Sequence, residues 1–356
     1  MQGGSVVNAL LASKRYNIRA ATRNPSSERA KELAKNEEVQ VVQTDAAKKE
    51  DLTRLFQGAD YVFGVTNFFD PDIFPDNIPE EERRGKLMID AAKDVGIKFF
   101  VWSSLPNAAK VSNGKHNKVY HFDGKNNVAQ YALMSGLPCA FIEPAVFMEN
   151  YLSYYPPRKD GDEYIITSPL TPGDAKREYV SINSDFGRAA VVLMDDPKKW
   201  QGRTVRLASD LISQNDAAAI FSKVTGKRFK YVEAAAHYAN EELAAMFNYF
   251  NDHGYYGRKP DETVPFTETK ELGIKLTSFE EWVKEHMDDF STSARCFSYP
   301  EDERLQIGSS MFMNKSYREK VNRSLDLLRG GQESEGDGSL LLFSMFGGEP
   351  LAESIA

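Results

Sequence analysis

Three hundred and fifty-six residues, 41 % hydrophobic and 27 % charged, describe an ordinary globular chain of roughly two domains and exclude a disordered or fibrous one. Fifty-two acidic residues against 44 basic leave a formal charge of -8, the wrong sign for direct nucleic-acid binding. Two cysteines, Cys139 and Cys296, are too few for a disulfide framework, no apolar run approaches the ~18 residues of a membrane helix, and Met1 to Arg15 carry no secretory pattern. The expected compartment is the cytoplasm.

Gly3, Gly4 and Ser5 precede Val6, Val7, Leu10 and Leu11 at helical spacing, so the chain opens on a helix. Ile18 to Thr22 is a short strand ending at Arg23, and Asn24-Pro25-Ser26-Ser27 caps a second helix reaching about Asn36. Val39 to Gln43 alternates toward Asp45, Leu52 to Gln57 is helical, and Tyr61 to Val65 is a buried-strand run. A helix over 81–95, a strand over 98–104, a helix over 122–135 and a strand over 139–143 follow. Apolar strands separated by helices predict a doubly wound α/β fold with a parallel sheet covered on both faces. Residues 1–150 form its nucleotide-binding domain. Residues 151–290, looser and rich in aromatics, predict a smaller α/β substrate or partner domain interleaved with the first, with helices over 184–194 and 278–288. Residues 291–356, with Gly330 to Gly338 as a solvated run, are expected to be a poorly ordered tail.

The strand ends carry the candidate chemistry. Gln2-Gly3-Gly4-Ser5 has the form of the last part of a glycine turn that sets a pyrophosphate against a helix N-terminus. Arg23 stands at the end of the next strand, where a guanidinium would grip a 2'-phosphate and an acid would instead select NAD, so NADP is the predicted cofactor. Asp45 is a candidate for the adenine amino group or a turn, and Thr66-Asn67-Phe68 lie at a further strand end. Ser103 and Ser104 end another strand. His116, His121, His237, His253 and His286 are scattered, and no metal or nucleophile constellation is evident.

Gln2 to Val7, Thr22-Arg23-Asn24-Pro25, Val65 to Phe68, His121 to Lys125 and Phe147-Met148-Glu149-Asn150 closely resemble the NmrA-like family, relatives of the short-chain dehydrogenases, over residues 2 to about 290. The resemblance implies an NADP-binding Rossmann domain. Arg23 would hold the 2'-phosphate, Gln2 and Gly3 the pyrophosphate, and Thr66, Asn67 and Phe68 the nicotinamide half. Lys125 would meet the ribose, and Phe147 to Asn150 would close over that end. It also implies that the opening strand and its glycine turn are missing, leaving the sheet's central neighbours without ladder partners. The usual catalytic Tyr four residues before Lys125 is replaced by His121, so catalysis is open, with His121, Lys125 and Ser103 as candidates. The favoured expectation is a redox-sensing regulator that binds NADP(H) without turnover and acts on a protein partner such as a transcription factor or enzyme, in the cytoplasm or nucleus. The alternative is an NADPH-dependent oxidoreductase of a small-molecule carbonyl, quinone or enone.

Overall fold

The computed structural model describes residues 1–234, 240–257, 262–291 and a strand at 343–347. The opening helix Gln2–Ser13 buries Val6, Val7 and Leu10 completely and stops where Lys14 turns left-handed, its N–H bonding the Leu11 carbonyl. Ser27 caps the Glu28–Leu33 helix by accepting from Ala30 N–H at 3.3 Å; that helix ends short of the predicted Asn36. The Pro79–Asp94 and Tyr120–Ser135 helices lie side by side on the far face of the sheet from Gln2–Ser13.

The strands are β1 (Tyr16–Thr22), β2 (Val39–Gln43), β3 (Tyr61–Gly64), β4 (Phe99–Ser103), β5 (Cys139–Pro144), β6 (Val146–Phe147), β7 (Arg158–Asp160), β8 (Glu163–Pro169), β9 (Arg177–Val180), β10 (Thr204–Leu207), β11 (Asp210–Ile212), β12 (Arg228–Ala234) and β13 (Phe343–Gly347). The main sheet runs β10-β5-β4-β3-β13-β1-β2. All its neighbouring pairs are parallel except those of β13. β4 is buried along its whole length, as a strand sandwiched between two helical layers must be. One apolar cluster, holding Val6, Phe63, Val101 and Phe186, covers one face, and another, holding Phe56, Met88, Phe100 and Trp102, covers the other.

The expected gap beside β1 is filled. β13 lies antiparallel between β1 and β3, with Met345 opposite Ile18 on one side and Tyr61 on the other. Two neighbours that would have exposed unpaired N–H and C=O groups in a protein interior are thereby paired. The rest of 292–356 lies outside the described residues.

Two three-stranded sheets, β11-β9-β6 and β12-β8-β7, form the second region around Tyr151, Phe221, Phe279 and Trp282. The chain crosses back between the two regions. β10 joins the main sheet, and a π-helical turn (Ile182–Phe186) leads into the Gly187–Asp195 helix, which packs on Gln2–Ser13. At that crossing a Cβ on Gly187 would sit 2.0 Å from the Ser5 carbonyl oxygen, while Gly187 N–H donates to Ser5 Oγ at 2.8 Å, so only glycine fits.

Candidate functional site

The carboxyl ends of a parallel sheet's strands, where its loops diverge, form the natural ligand crevice of this architecture. A cavity of about 460 Å³ opens there. One end is made by Gln2 and Gly3 at a helix N-terminus, Arg29, the Val65 to Phe69 segment after β3, and Ser103 to Leu105 after β4. Its other end is aromatic, with Phe147, Tyr154, Tyr155, Tyr179, Phe247 and Phe250 drawn from the second region. Of the residues singled out from sequence, Gln2, Gly3, Thr66, Asn67, Phe68, Ser103, His121, Lys125, Phe147 and Asn150 line this one cavity.

A buried polar knot joins its walls. Lys125, 8 % exposed, donates to Glu81 Oε1, which also accepts from Thr66 Oγ1 at 2.9 Å. Glu81 Oε2 has no hydrogen-bond partner among the described residues. Ser103 Oγ donates to Gln2 Oε1 at 3.1 Å, and the Lys125 carbonyl accepts from Trp102 Nε1 at 3.0 Å, which fixes the lysine's turn of helix against β4. The knot therefore sets Lys125 and Ser103 on two sides of the same space.

His121 stands one turn before Lys125. Its Nδ1 is held by Glu242 of the Glu241–His253 helix, and its ring packs 5.1 Å from Phe68 and 4.8 Å from Phe122. Nε2 is left without a partner among the described residues. Tyr120, one residue from the position of the usual tyrosine, is 39 % exposed and outside the cavity lining, so it does not take over that role in the cavity.

Four residues predicted as cofactor contacts sit elsewhere. Arg23 is ion-paired to Asp70 at 2.9 Å and to Asp72 at 3.6 Å and does not line the cavity. Asp45 accepts from Ala47 N–H at 3.0 Å and pairs with Lys48 at 3.3 Å, the geometry of a turn. Met148 is fully buried in the apolar cluster of the second region. Glu149 is buried and accepts from Ser181 Oγ at 3.0 Å, Ile182 N–H at 3.0 Å and Asn183 N–H at 2.8 Å, so it anchors the π-helical turn. Of the 147–150 segment, only the two ends, Phe147 and Asn150, face the cavity.

Arg29, Glu81 and Arg177 are cavity or knot residues that sequence reasoning passed over. Arg29 lies where a Cβ on Gly4 would fall 2.2 Å from its guanidinium, and it makes no ion pair among the described residues. The Gly-Gly pair at the helix start could have pointed to it: the second glycine leaves room for a side chain crossing the helix end. The histidines are not all scattered, since His116, Asp252 and His253 bring one ligand atom each within 4.8 Å of one another. Asp252 there accepts from Lys115 at 2.6 Å and contacts His116 Nε2 at 2.7 Å, an ion-pair network tying the loop before 120–135 to the Glu241–His253 helix.

The model of the NmrA-like family matches residues 1–283. The chain belongs to that family. It is 31 % identical over 316 residues to the NmrA-like family domain-containing oxidoreductase malD of Malbranchea aurantiaca, covering 79 % of this chain and 92 % of that one. An NmrA-like family domain-containing protein of Dictyostelium discoideum is 30 % identical over 296 residues, covering 80 % and 93 %. Among solved structures, the negative transcriptional regulator NmrA in complex with NADP superposes with a TM-score of 0.67 at 21 % identity, covering 81 % of this chain and 92 % of that one. The NADPH-dependent quinone oxidoreductase QOR2 of Escherichia coli, complexed with NADPH, gives a TM-score of 0.62 at 21 % identity, covering 80 % and 96 %. These likenesses show a Rossmann-type α/β fold of the NmrA-like kind.

Proposed function

We propose that this chain binds NADP(H) at the helix-N-terminal end of the cavity and reduces a flat carbonyl, quinone or enone compound at the aromatic end. The observation that carries the reading is the continuity of one cavity from a helix N-terminus to an aromatic compartment from the second region. A module that only registered its cofactor would have no use for that second compartment. The naming of relatives at about 30 % identity as oxidoreductases supports it, as do the NADP and NADPH complexes of fold neighbours.

The residues present suit a dinucleotide. Gln2 and Gly3 offer the N-terminal amides of a twelve-residue helix to a pyrophosphate. Arg29 adds an unpaired cation beside them, and the space over Gly4 exists because no Cβ fills it. Thr66, Asn67 and Phe68 would flank the nicotinamide half and Lys125 its ribose. The cofactor would supply a hydride. His121 lines the cavity with its Nδ1 donating to Glu242, which fixes the ring; in its doubly protonated form it would give the Nε2 proton to the reduced substrate oxygen. Phe68, Phe147 and Phe250 line the compartment and would help keep water from it.

The regulator reading keeps one specific support, the absence of a Tyr four residues before Lys125. The two part on turnover. Mixed with NADPH and a panel of quinones, enones and aldehydes, the purified chain should consume nicotinamide absorbance over many cycles with at least one of them. Tight NADPH binding with no consumption across the panel would favour the regulator.

A further inference from the structure

At the aromatic end of the cavity stands a buried cation that no carboxylate of the described residues meets in a contact ion pair. Arg177 opens β9, is 4 % exposed and lines the cavity. Its guanidinium donates to the Lys176 carbonyl at 3.1 Å and to Asn251 Oδ1, and lies 5.7 Å from the centre of the Phe250 ring. It forms no ion pair among the described residues; the neighbouring carboxylate, Glu178, acts on it only at a distance. Of five guanidinium N–H groups two are used, which leaves three.

Another buried arginine, away from the cavity lining, shows a different treatment of such a group. Arg84 is 7 % exposed and is met by Glu80 at 2.8 Å, Asp72 at 3.4 Å and Asp70 at 3.6 Å. An arginine buried without a carboxylate in direct contact is costly, and burial pushes the Arg177 guanidinium below its ordinary range, with Glu178 only partly opposing it. A cost of that kind, placed on a cavity wall among rings, is the mark of a group awaiting its counter-charge from a ligand.

Resting on the reductase reading for the identity of the compartment, we propose that Arg177 anchors the substrate by receiving an anionic oxygen, enolate, phenolate or carboxylate, carried on a flat conjugated ring system. The rings of Tyr155, Tyr179 and Phe250 supply faces for that ring system, and the guanidinium fork supplies directional donors for the oxygen. Neutral analogues of the same shape lose the charge-assisted bonds and keep only the stacking.

Lawsone and menadione make the comparison, since both are naphthoquinones of similar size and only lawsone is ionised at neutral pH; naphthoate separates carboxylate from enolate. Each is titrated calorimetrically into the full chain, with and without saturating NADP+, so that binding is read without turnover and whether or not the dinucleotide binds. The expected result is lawsone or naphthoate binding roughly ten- to a hundredfold tighter than menadione. Arg177→Met should erase that difference while menadione affinity and the melting temperature stay close to those of the parent chain, and Arg177→Lys should restore part of it. Equal affinities for charged and neutral ligands, no binding of any of the three, or a preference that survives in Arg177→Met would overturn the proposal. If the preference holds while NADPH is never consumed, the anchor stands and the reductase reading falls.

Discussion

At the end proposed for the nucleotide the cavity is walled by backbone and by residues at the ends of adjacent elements: Gln2 and Gly3 at a helix start, Val65 to Phe69 after β3, Ser103 to Leu105 after β4. At its aromatic end the wall is side chains brought from distant places, with Tyr155, Arg177, Gln214 and Phe250 each on a different segment. The first end is a consequence of the fold, since any parallel sheet of this winding opens its loops there. The second depends on three-dimensional packing and is free to vary without disturbing the sheet. A dinucleotide can thus be recognised in the same way by many chains while the partner molecule differs.

His121 sits where the two ends meet, and its replacement is the most forceful way to break the comparison. With Nδ1 held by Glu242, His121→Phe removes the imidazole that would relay the proton but keeps an aromatic ring against Phe68 and Phe122. Steady-state turnover should fall on the order of a hundredfold or more. NADPH affinity by titration should change by no more than about twofold, because the ring touches no predicted phosphate contact.

The nucleotide end hangs on β1 and β3, and both are tied through β13. Met345→Pro deletes an N–H from a strand with a neighbour on each side. Denaturant unfolding should show a loss of about 3 kcal/mol or more, together with weakened NADPH binding. An unchanged midpoint would mean that β1 and β3 do not depend on this strand.

Under the aromatic end, Glu143 tests how that region treats charge. Burial pushes its carboxyl up from 4.5 to about 7, with Glu268 adding to the rise and Arg206 opposing it. A carboxyl whose folded pKa exceeds its unfolded one binds protons more tightly in the folded state. Its penalty is absent below about 4.5 and grows as pH rises through about 7. Glu143→Gln should therefore leave stability unchanged at pH 4 and raise it at pH 8 by up to about 3 kcal/mol. Melting curves across that range check both the sign and the window.

Sequence reading fared differently at the two ends, for physical reasons. Parallel strands with apolar runs and short helices announce themselves by period, and strand-end residues such as Thr66 and Ser103 follow from the strands that carry them. Arg177 and Phe250, by contrast, are separated by 73 positions and meet only through packing. Phe147 to Asn150 read as one motif, yet Met148 and Glu149 point into protein while Phe147 and Asn150 face the cavity. The segment at 343–347 carried no signal for its place in the sheet, because its register is set by the vacancy between β1 and β3 rather than by local pattern.

The smallest expected effects lie at the phosphates. Arg29 is unpaired beside the helix N-terminus, so Arg29→Ala should weaken NADPH by roughly 1.5 to 3 kcal/mol, the usual worth of a charge-assisted contact. Arg23 starts from a different position. Its guanidinium already satisfies Asp70, a carboxylate only 2 % exposed, and a 2'-phosphate would have to compete with Asp70 and Asp72 for the same N–H groups. Part of what the phosphate gains is lost from those pairs, so Arg23→Ala should discriminate NADP from NAD by no more than about 1 kcal/mol, the worth of an ordinary net hydrogen bond. Asp72, with 66 % of its side chain exposed, is the easier partner to displace. Asp72→Asn should accordingly tighten NADP a few-fold and leave NAD unmoved, and calorimetric titration of both cofactors against the two variants separates this from a purely structural Arg23. If Arg23→Ala weakens NADP and NAD equally, the residue does no more than hold the 70–72 loop.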